Sequence, residues 1–443
     1  MKTLKRRAIQ HIFLILALMA QIVHGAHGKT VSASSLASVF SAYTSDSEGE
    51  TGFRSLNIPS GGKSESIGTA CVALADDISF FDYNPASSAV LEQTEVAVFH
   101  NAWIADSALE TIAATTRFGN LGLGAALKCF YVPFTEYTAY GERAASAYYS
   151  ETSLTCNVAY TFLAGYSFKG ISVGANAKAA WRSIPDYADS TTGVVESGSG
   201  LSQSALAFLF DAGLLVRFNA AKFYSGREPN MHIGASIQNC GISLTGFGEH
   251  ITWDDPLPTR CSVGLAYRPL APLVISAEAR QYFLVDSGIR LDSQAICAGF
   301  ECEVTQTFSF LAGFLLQGAS PRISMGSGFL VKAFQMNVNY TFDLTSSQNP
   351  VNHISLSAKV KLGDKGRSEI QDQVDAYYIN GLRLYAEGDL DGAIVQWNLA
   401  IALDKRFDPA IDAKVAAIRF QNAKQAIMDM QKLDISISGK KSE

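Results

Sequence analysis

Polar and apolar residues alternate along the chain from about residue 94 to 362. In "FQMNVNYTFDL", Phe334, Met336, Val338, Tyr340, Phe342 and Leu344 fall on one side, and Gln335, Asn337, Asn339, Thr341 and Asp343 on the other. "HISLSAKVKL" sets Ile354, Leu356, Ala358, Val360 and Leu362 against Ser355, Ser357, Lys359 and Lys361. "SLTCNVAYTF", "ISVGANAKAAWR" and "FLFDAGLLVRF" repeat the pattern. A period of two with one apolar face is the mark of a half-buried strand. Many segments run about 10 to 13 residues, against about 5 to 6 for an ordinary soluble strand. A tilted membrane-spanning strand needs about 9 to 11. Roughly fourteen such segments can be counted, an even number that suits a closed outer-membrane barrel. Closure leaves no unpaired backbone edge in lipid. The fold predicted is an all-β transmembrane barrel of about 14 antiparallel strands over residues 93–363, polar inside and apolar outside.

The connections give an independent test. Long polar linkers fall near residues 134–147, 184–202, 241–258, 285–292 and 344–352, all on one side by strand parity. Connections between them are short, such as "RPLAP" at 268–272 and Gly119-Asn120; 219–229 is long for an inner turn. Long outer loops and short periplasmic turns are the usual asymmetry of such barrels. Segment length and this asymmetry oppose a soluble sandwich or propeller. Tyr160, Phe162, Trp181, Phe218, Tyr267, Tyr282 and Phe342 stand near segment ends, where aromatic girdles form.

Composition narrows the partners. Hydrophobic residues make up 48% of the 443 and charged residues 17%. A net charge of −6 without a basic stripe argues against nucleic acid. Residues 1–28 read as a secretory signal, with Lys2, Lys5, Arg6 and Arg7 ahead of the apolar run Ile12 to Val23. Residues 29–66 read as an N-terminal periplasmic segment. The seven cysteines are scattered singly, without metal spacing, and serve as small apolar fillers. His100, His232, His250 and His353 are dispersed, and no nucleophile–base spacing or phosphate loop occurs, so neither an enzyme, a cofactor nor a metal is implied.

The stretch "LADDISFFDYNPASSAV", just before the first strand, fits neither strand nor helix throughout. Asp76 and Asp77 cannot face lipid cheaply, and Asn84-Pro85 suits a turn. The physical solution is a segment folded into the lumen, a hatch over residues 67–92, with Asp76, Asp77, Asn84 and Pro85 as its holding and gating residues.

Here the sequence resembles a known family. "GTACVALADDISFFDYNPASSA" looks like the N-terminal hatch signature of the FadL-type long-chain fatty acid transporters, matching at Gly68, Ala70, Ala75, Asp76, Asp77, Asn84, Pro85 and Ala86. The layout as a whole is similar to an uncharacterised spirochaete branch of these proteins. The resemblance implies a monomeric fourteen-stranded barrel in the outer membrane, surrounded by its lipid, that carries long-chain fatty acids or other hydrophobic ligands inward past a hatch. Two departures stand out: the chain continues beyond the last strand, and Ser87-Ser88 follow where Gly-Leu is common.

That continuation is helical. "AYYINGLRLYAEGDLDGAIVQWNLAIALDKRFDPA" resembles one tetratricopeptide repeat, with Gly381, Gly388, Ala393, Trp397, Ala400 and Leu403-Asp404 in its packing positions. The expectation is a helical domain over 367–432 with a core of Leu382, Leu384, Tyr385, Ile394, Trp397 and Leu403, its third helix starting at Pro409. Residues 433–443 follow as a disordered tail. Tyr385 and Trp397 are the candidate docking residues for a periplasmic protein. In the lumen, Arg182, Arg217 and Arg280 are candidates for a carboxylate head group, or else partners of acids such as Asp211 and Glu278. The alternatives to uptake are a barrel that anchors an envelope or secretion assembly, and a nonspecific porin.

Overall fold

The computed structural model describes residues 50–439, apart from residues 105, 138–139, 166–167, 189–191, 195–198, 225, 248–250, 252–254, 286–287, 319 and 345–351. The expected signal, residues 29–49 and residues 440–443 lie outside the described residues.

Fourteen antiparallel strands close into a barrel. They are β1 (Glu95–Ala102), β2 (Ala108–Phe118), β3 (Leu121–Tyr137), β4 (Arg143–Phe162), β5 (Phe168–Ser183), β6 (Ala205–Phe218) and β7 (Met231–Thr245). The second half is β8 (Thr259–Leu270), β9 (Leu273–Val285), β10 (Ile289–Glu303), β11 (Phe308–Gln317), β12 (Ser320–Val331), β13 (Phe334–Asp343) and β14 (His353–Lys361). Every strand pairs with its sequence neighbours, and β1 meets β14 in unbroken register from Glu95↔Lys361 to Ala102↔Ile354.

Alternation decides the faces. Ile112, Leu127, Phe210, Ile233, Val263 and Ile354 point outward and are exposed, while Thr111, Asn157, Asp211, Ser262 and Lys359 point inward and are buried. An apolar belt outside and a polar lumen are the outer-membrane barrel pattern. Tyr282 departs from its expected girdle position. It shares parity with Glu278 and Arg280 on β9 and is buried in the lumen, as a period of two requires.

One end of the barrel, the loop end, carries the connections 184–204, 246–258 and 344–352; the other, the turn end, carries two-residue turns such as 119–120, 271–272 and 332–333. The long connection 219–230 sits at the turn end. Two stretches expected as loops are mainly strand: β3 reaches Tyr137 and β4 starts at Arg143, and β9 and β10 leave only 286–288 between them. Cross-strand pairing continues there because each added residue satisfies its own backbone groups.

The N-terminal segment corrects the sequence expectation. Residues 50–66 are not a separate unit outside the barrel. Glu50 pairs with Arg290 at the loop end, 2.9 Å away, and the Gly52 amide donates to the Pro256 carbonyl at 3.0 Å. From there the chain descends through the lumen and leaves at the turn end, where the Thr94 amide donates to the Gly363 carbonyl at 2.9 Å. Phe53 is buried against Ala180, Ala205 and Leu257. The run "PSGGKSES" has no apolar face with which to build a core of its own. Its polar groups are satisfied by lumen walls instead: the Gly62 amide by Ser355 at 3.0 Å and Glu65 by His353 at 2.5 Å.

Beyond the barrel lie helices α1 (Arg367–Glu387), α2 (Leu390–Leu403) and α3 (Asp408–Gly439). Gly388, in the left-handed region at φ 88°, closes α1. Asp389 caps α2 by accepting from the Gly392 amide at 2.9 Å. The core is Val374, Ala393, Trp397, Ala400, Phe407, Ala410 and Ala417, with Leu384 and Ile394 packed against it. Leu382, Tyr385 and Leu403 are partly exposed rather than central, because they face away from the α1–α2 crossing at Gly381 and Trp397. Trp397, expected to dock a partner, is 1% exposed and holds the domain together. Helix α3 runs to Gly439, through part of the tail expected to be disordered; no glycine or proline interrupts residues 410–438. The domain rests on the turn end: Arg227, in the 219–230 connection, pairs with Asp375 and stacks over Phe407, and Arg406 donates to the Ala164 carbonyl at 3.1 Å.

Candidate functional site

The hatch is two capped helical turns in succession. Asp77 accepts from the Ser79 amide at 2.9 Å and starts the turn Ile78–Asp82; Asn84 accepts from the Ala86 amide at 3.1 Å and starts Pro85–Ala89. Asp and Asn suit these positions because a short side-chain oxygen reaches an orphan amide two residues on. Pro85 follows as the first residue of its turn, where no amide is needed. Phe80 and Phe81 pack with Ile78, Leu91 and Phe99. The resulting plug occupies the lumen from Phe53 to Leu91, nearly all of it buried.

Named polar contacts fix the plug to the wall. Lys359 of β14 pairs with Asp77 at 2.6 Å, and Lys128 of β3 with Asp82 at 3.0 Å. Glu278 of β9 accepts from the Cys71 and Val72 amides, each at 2.8 Å. Asn84, fully buried, donates to the Val72 carbonyl at 2.7 Å and the Leu214 carbonyl at 3.0 Å, joining plug to plug and plug to wall. Asn157 holds the Pro85 carbonyl at 3.0 Å. Asp76 turns inward on the plug itself, to Lys63 at 3.0 Å, and Lys63 reaches Glu301 of β10 at 2.8 Å. Burial alone would raise the carboxyls of Asp76 and Asp77. The ammonium groups of Lys63 and Lys359 outweigh it and hold both below the ordinary carboxylate range.

Wall glycines let the plug approach. A Cβ at Gly174 or Gly213 would meet Pro85 or Asn84, at Gly234 Val72, at Gly299 and Gly313 Ile67, and at Gly326 Ser66. Each lies on the lumen face of a different strand. The sequence signal was present in "SVGANA", "FDAGLL" and "HIGASI": a glycine inside a strand marks close approach of another backbone.

The three arginines are not brought together. Arg182 stands at the loop end, paired with Asp255 at 3.0 Å and stacked on Phe53. Arg280 lies buried beneath the plug, paired with Glu278 at 2.5 Å and donating to the Thr69 carbonyl. Its bonds are spent on the plug, so it offers no free head-group contact in this state. Arg217 stands at the turn end and lines a cavity of about 520 Å³ between the plug and the 219–230 connection. Asp76 and Lys63 form part of that cavity's floor. Lys128, Glu278, Glu301, Lys359 and Asn157 were missed by sequence reading, because their role depends on where the plug lies.

Comparison with known proteins places this geometry. Residues 28–365 match the profile of an uncharacterised protein family, UPF0164. A UPF0164 protein of Treponema pallidum (strain Nichols) is 29% identical over 417 residues, covering 92% of this chain and 92% of the relative. A second from the same organism is 24% identical over 399 residues, covering 85% and 78%. Among solved structures, the toluene transporter TbuX of Ralstonia pickettii is similar with a TM-score of 0.42 at 14% identity, over 68% of this chain and 96% of that one. The monoaromatic hydrocarbon channel CymD gives 0.45 at 13% identity, over 69% and 98%.

Proposed function

The chain belongs to the UPF0164 family, and from that premise we propose that it carries hydrophobic small molecules, long-chain fatty acids among them, across the outer membrane past a movable plug. The observation that carries the reading is the plug itself. It fills a polar lumen, is tied to the wall by separate ion pairs and amide contacts, and leaves a cavity on one side only among the described residues. A lumen built for open aqueous diffusion has no need of such a stopper. The hatch signature from Gly68 to Ala86, similar to that of FadL-type transporters, supports the same reading. In this reading the loop end faces outward, and the turn end, the cavity and the helical domain face the periplasm. The domain is then a docking unit for a periplasmic protein.

The test is uptake into proteoliposomes holding the purified full-length protein. A fluorescent fatty acid should enter faster than into protein-free vesicles, while ionic conductance in planar bilayers stays small. A large steady conductance would mean an open porin. Absence of hydrophobe entry, with partners recovered by crosslinking to the helical domain, would favour an anchoring role. Arg227, through its contacts to Asp375 and Phe407, keeps that second reading in view.

A further inference from the structure

The turn-end cavity is not uniformly charged. Its acids on the plug and β10 are already matched: Asp76 and Glu301 share Lys63, and Glu303 lies 3.9 Å from Arg268. On the opposite side, Lys169, Arg217 and Arg227 gather around one acid, Glu228. Glu228 approaches Arg217 only to 3.9 Å, and its side chain is largely exposed. Arg217 itself is 8% exposed, and its Nε has no hydrogen-bond partner among the described residues. Its Nη2 donates only a long bond, 3.5 Å, to the Lys169 carbonyl. Directly across the ladder, His232 lines the same cavity, with Nδ1 also unmatched. Buried donors are normally satisfied, so an unmatched guanidinium edge facing a cavity marks where an acceptor belongs.

The surroundings of this edge are apolar. Leu215, two residues before Arg217 on the same lumen face, packs with Ala86 and Val90 of the plug, and Ala75 joins them. Ala266 stands opposite His232. The cavity, at about 520 Å³, falls within the roughly 300–1,000 Å³ common for small-ligand sites.

We propose that this cavity is a holding site for single-tailed amphipathic carboxylates on the turn-end side of the plug, with Arg217 and His232 binding the head group and Ala75, Val90 and Ala266 receiving the start of the chain. The site rests on the reading of the protein as a conductor of hydrophobic molecules and adds acid selectivity to it. A guanidinium takes a carboxylate through two parallel bonds, which a neutral hydrocarbon or alcohol cannot return. Glu228, exposed and loosely held, swings aside when the head group enters.

The experiment compares dodecanoate with dodecanol, equal in chain and different in charge, by calorimetric titration of full-length protein in lipid nanodiscs. The wild type should bind dodecanoate at least about tenfold more tightly, the scale of a charge-assisted contact. Arg217→Gln should remove that preference and leave dodecanol binding unchanged; Arg217→Lys should keep part of it. Equal affinity of the wild type for acid and alcohol overturns the head-group site while leaving hydrophobe conduction intact. Binding of neither ligand overturns both. If Arg217→Gln fails to migrate as a folded, heat-modifiable barrel, the wild-type ratio together with Arg217→Lys decides.

Discussion

Replacing Asp77 by Asn removes one charge and little else. The side-chain oxygen that caps Ile78–Asp82 is kept, since Asn caps as well as Asp. What is lost is the 2.6 Å ion pair to Lys359, whose side chain is 3% exposed. Breaking one partner of a buried pair costs about 3–5 kcal/mol, because the other charge is left uncompensated. Glu95 lies close enough to Lys359 to restore part of this, which lowers the expected loss to roughly 1.5–3 kcal/mol. At 1.4 kcal/mol per factor of ten, the displaced plug should become about 10- to 100-fold more populated. Planar-bilayer recordings of the purified protein should then show frequent leak openings, with the barrel still heat-modifiable on gels. A double variant, Asp77→Asn with Lys359→Met, removes the stranded charge and should return the leak toward the wild-type level. Wild-type leak in Asp77→Asn would refute the role given to the pair. Equal leak in single and double variants would show that the stranded ammonium is not the cause.

The same contact sets a pH limit. Asp77 is held below the ordinary carboxylate value of about 4, so its contribution is complete above that value and fades as pH falls through the lower, folded one; leak frequency should therefore stay flat from pH 7 to pH 5. Gly234→Val places a side chain where Val72 of the plug sits, and overpacking of about 1–3 kcal/mol should loosen the plug, read as faster proteolysis of residues 60–90 in detergent. Trp397→Ala empties the centre of the helical domain at about 3–5 kcal/mol and should melt it, seen as lost helical circular dichroism with heat-modifiability retained. An epitope inserted in 184–202 should be stained on intact cells and one after Lys432 should not; the reverse would invert the orientation.

The barrel was legible because its signal is local and repeated: each strand carries its own alternation, and lipid outside with a polar lumen inside demands it of all fourteen. Half of the plug was legible as well. Asp77 and Asn84-Pro85 are capping chemistry that can be read from neighbours in sequence. Residues 53–66 were not, since "PSGGKSES" has no period and acquires its shape from Ser355, His353 and Glu301, hundreds of residues away. The pairing of Arg280 with Glu278 was within reach, two residues apart on one face. The choice among the three arginines was not, because only the plug's path decides which of them is covered. Trp397 misled for a simple reason: a large aromatic suits a docking surface and a helix crossing equally, and Gly381 opposite it selects the crossing.

The path of the plug also constrains assembly. The chain crosses the lumen from the loop end at Glu50 to the turn end at Thr94, so the finished ring surrounds its own leading segment like a hoop around a rope. A ring already shut would have to be threaded. The simpler sequence leaves the seam between β1 and β14 until last, with the wall wrapping around residues 50–94 as each hairpin is added. That seam joins residues more than 250 positions apart, from Glu95↔Lys361 to Ala102↔Ile354, the costliest loop in the molecule to close. Asp77 bound to Lys359 lies beside it, linking the enclosed segment to the last strand. A cysteine pair placed across the seam should therefore crosslink only late in assembly, after those across β6 and β7 have formed.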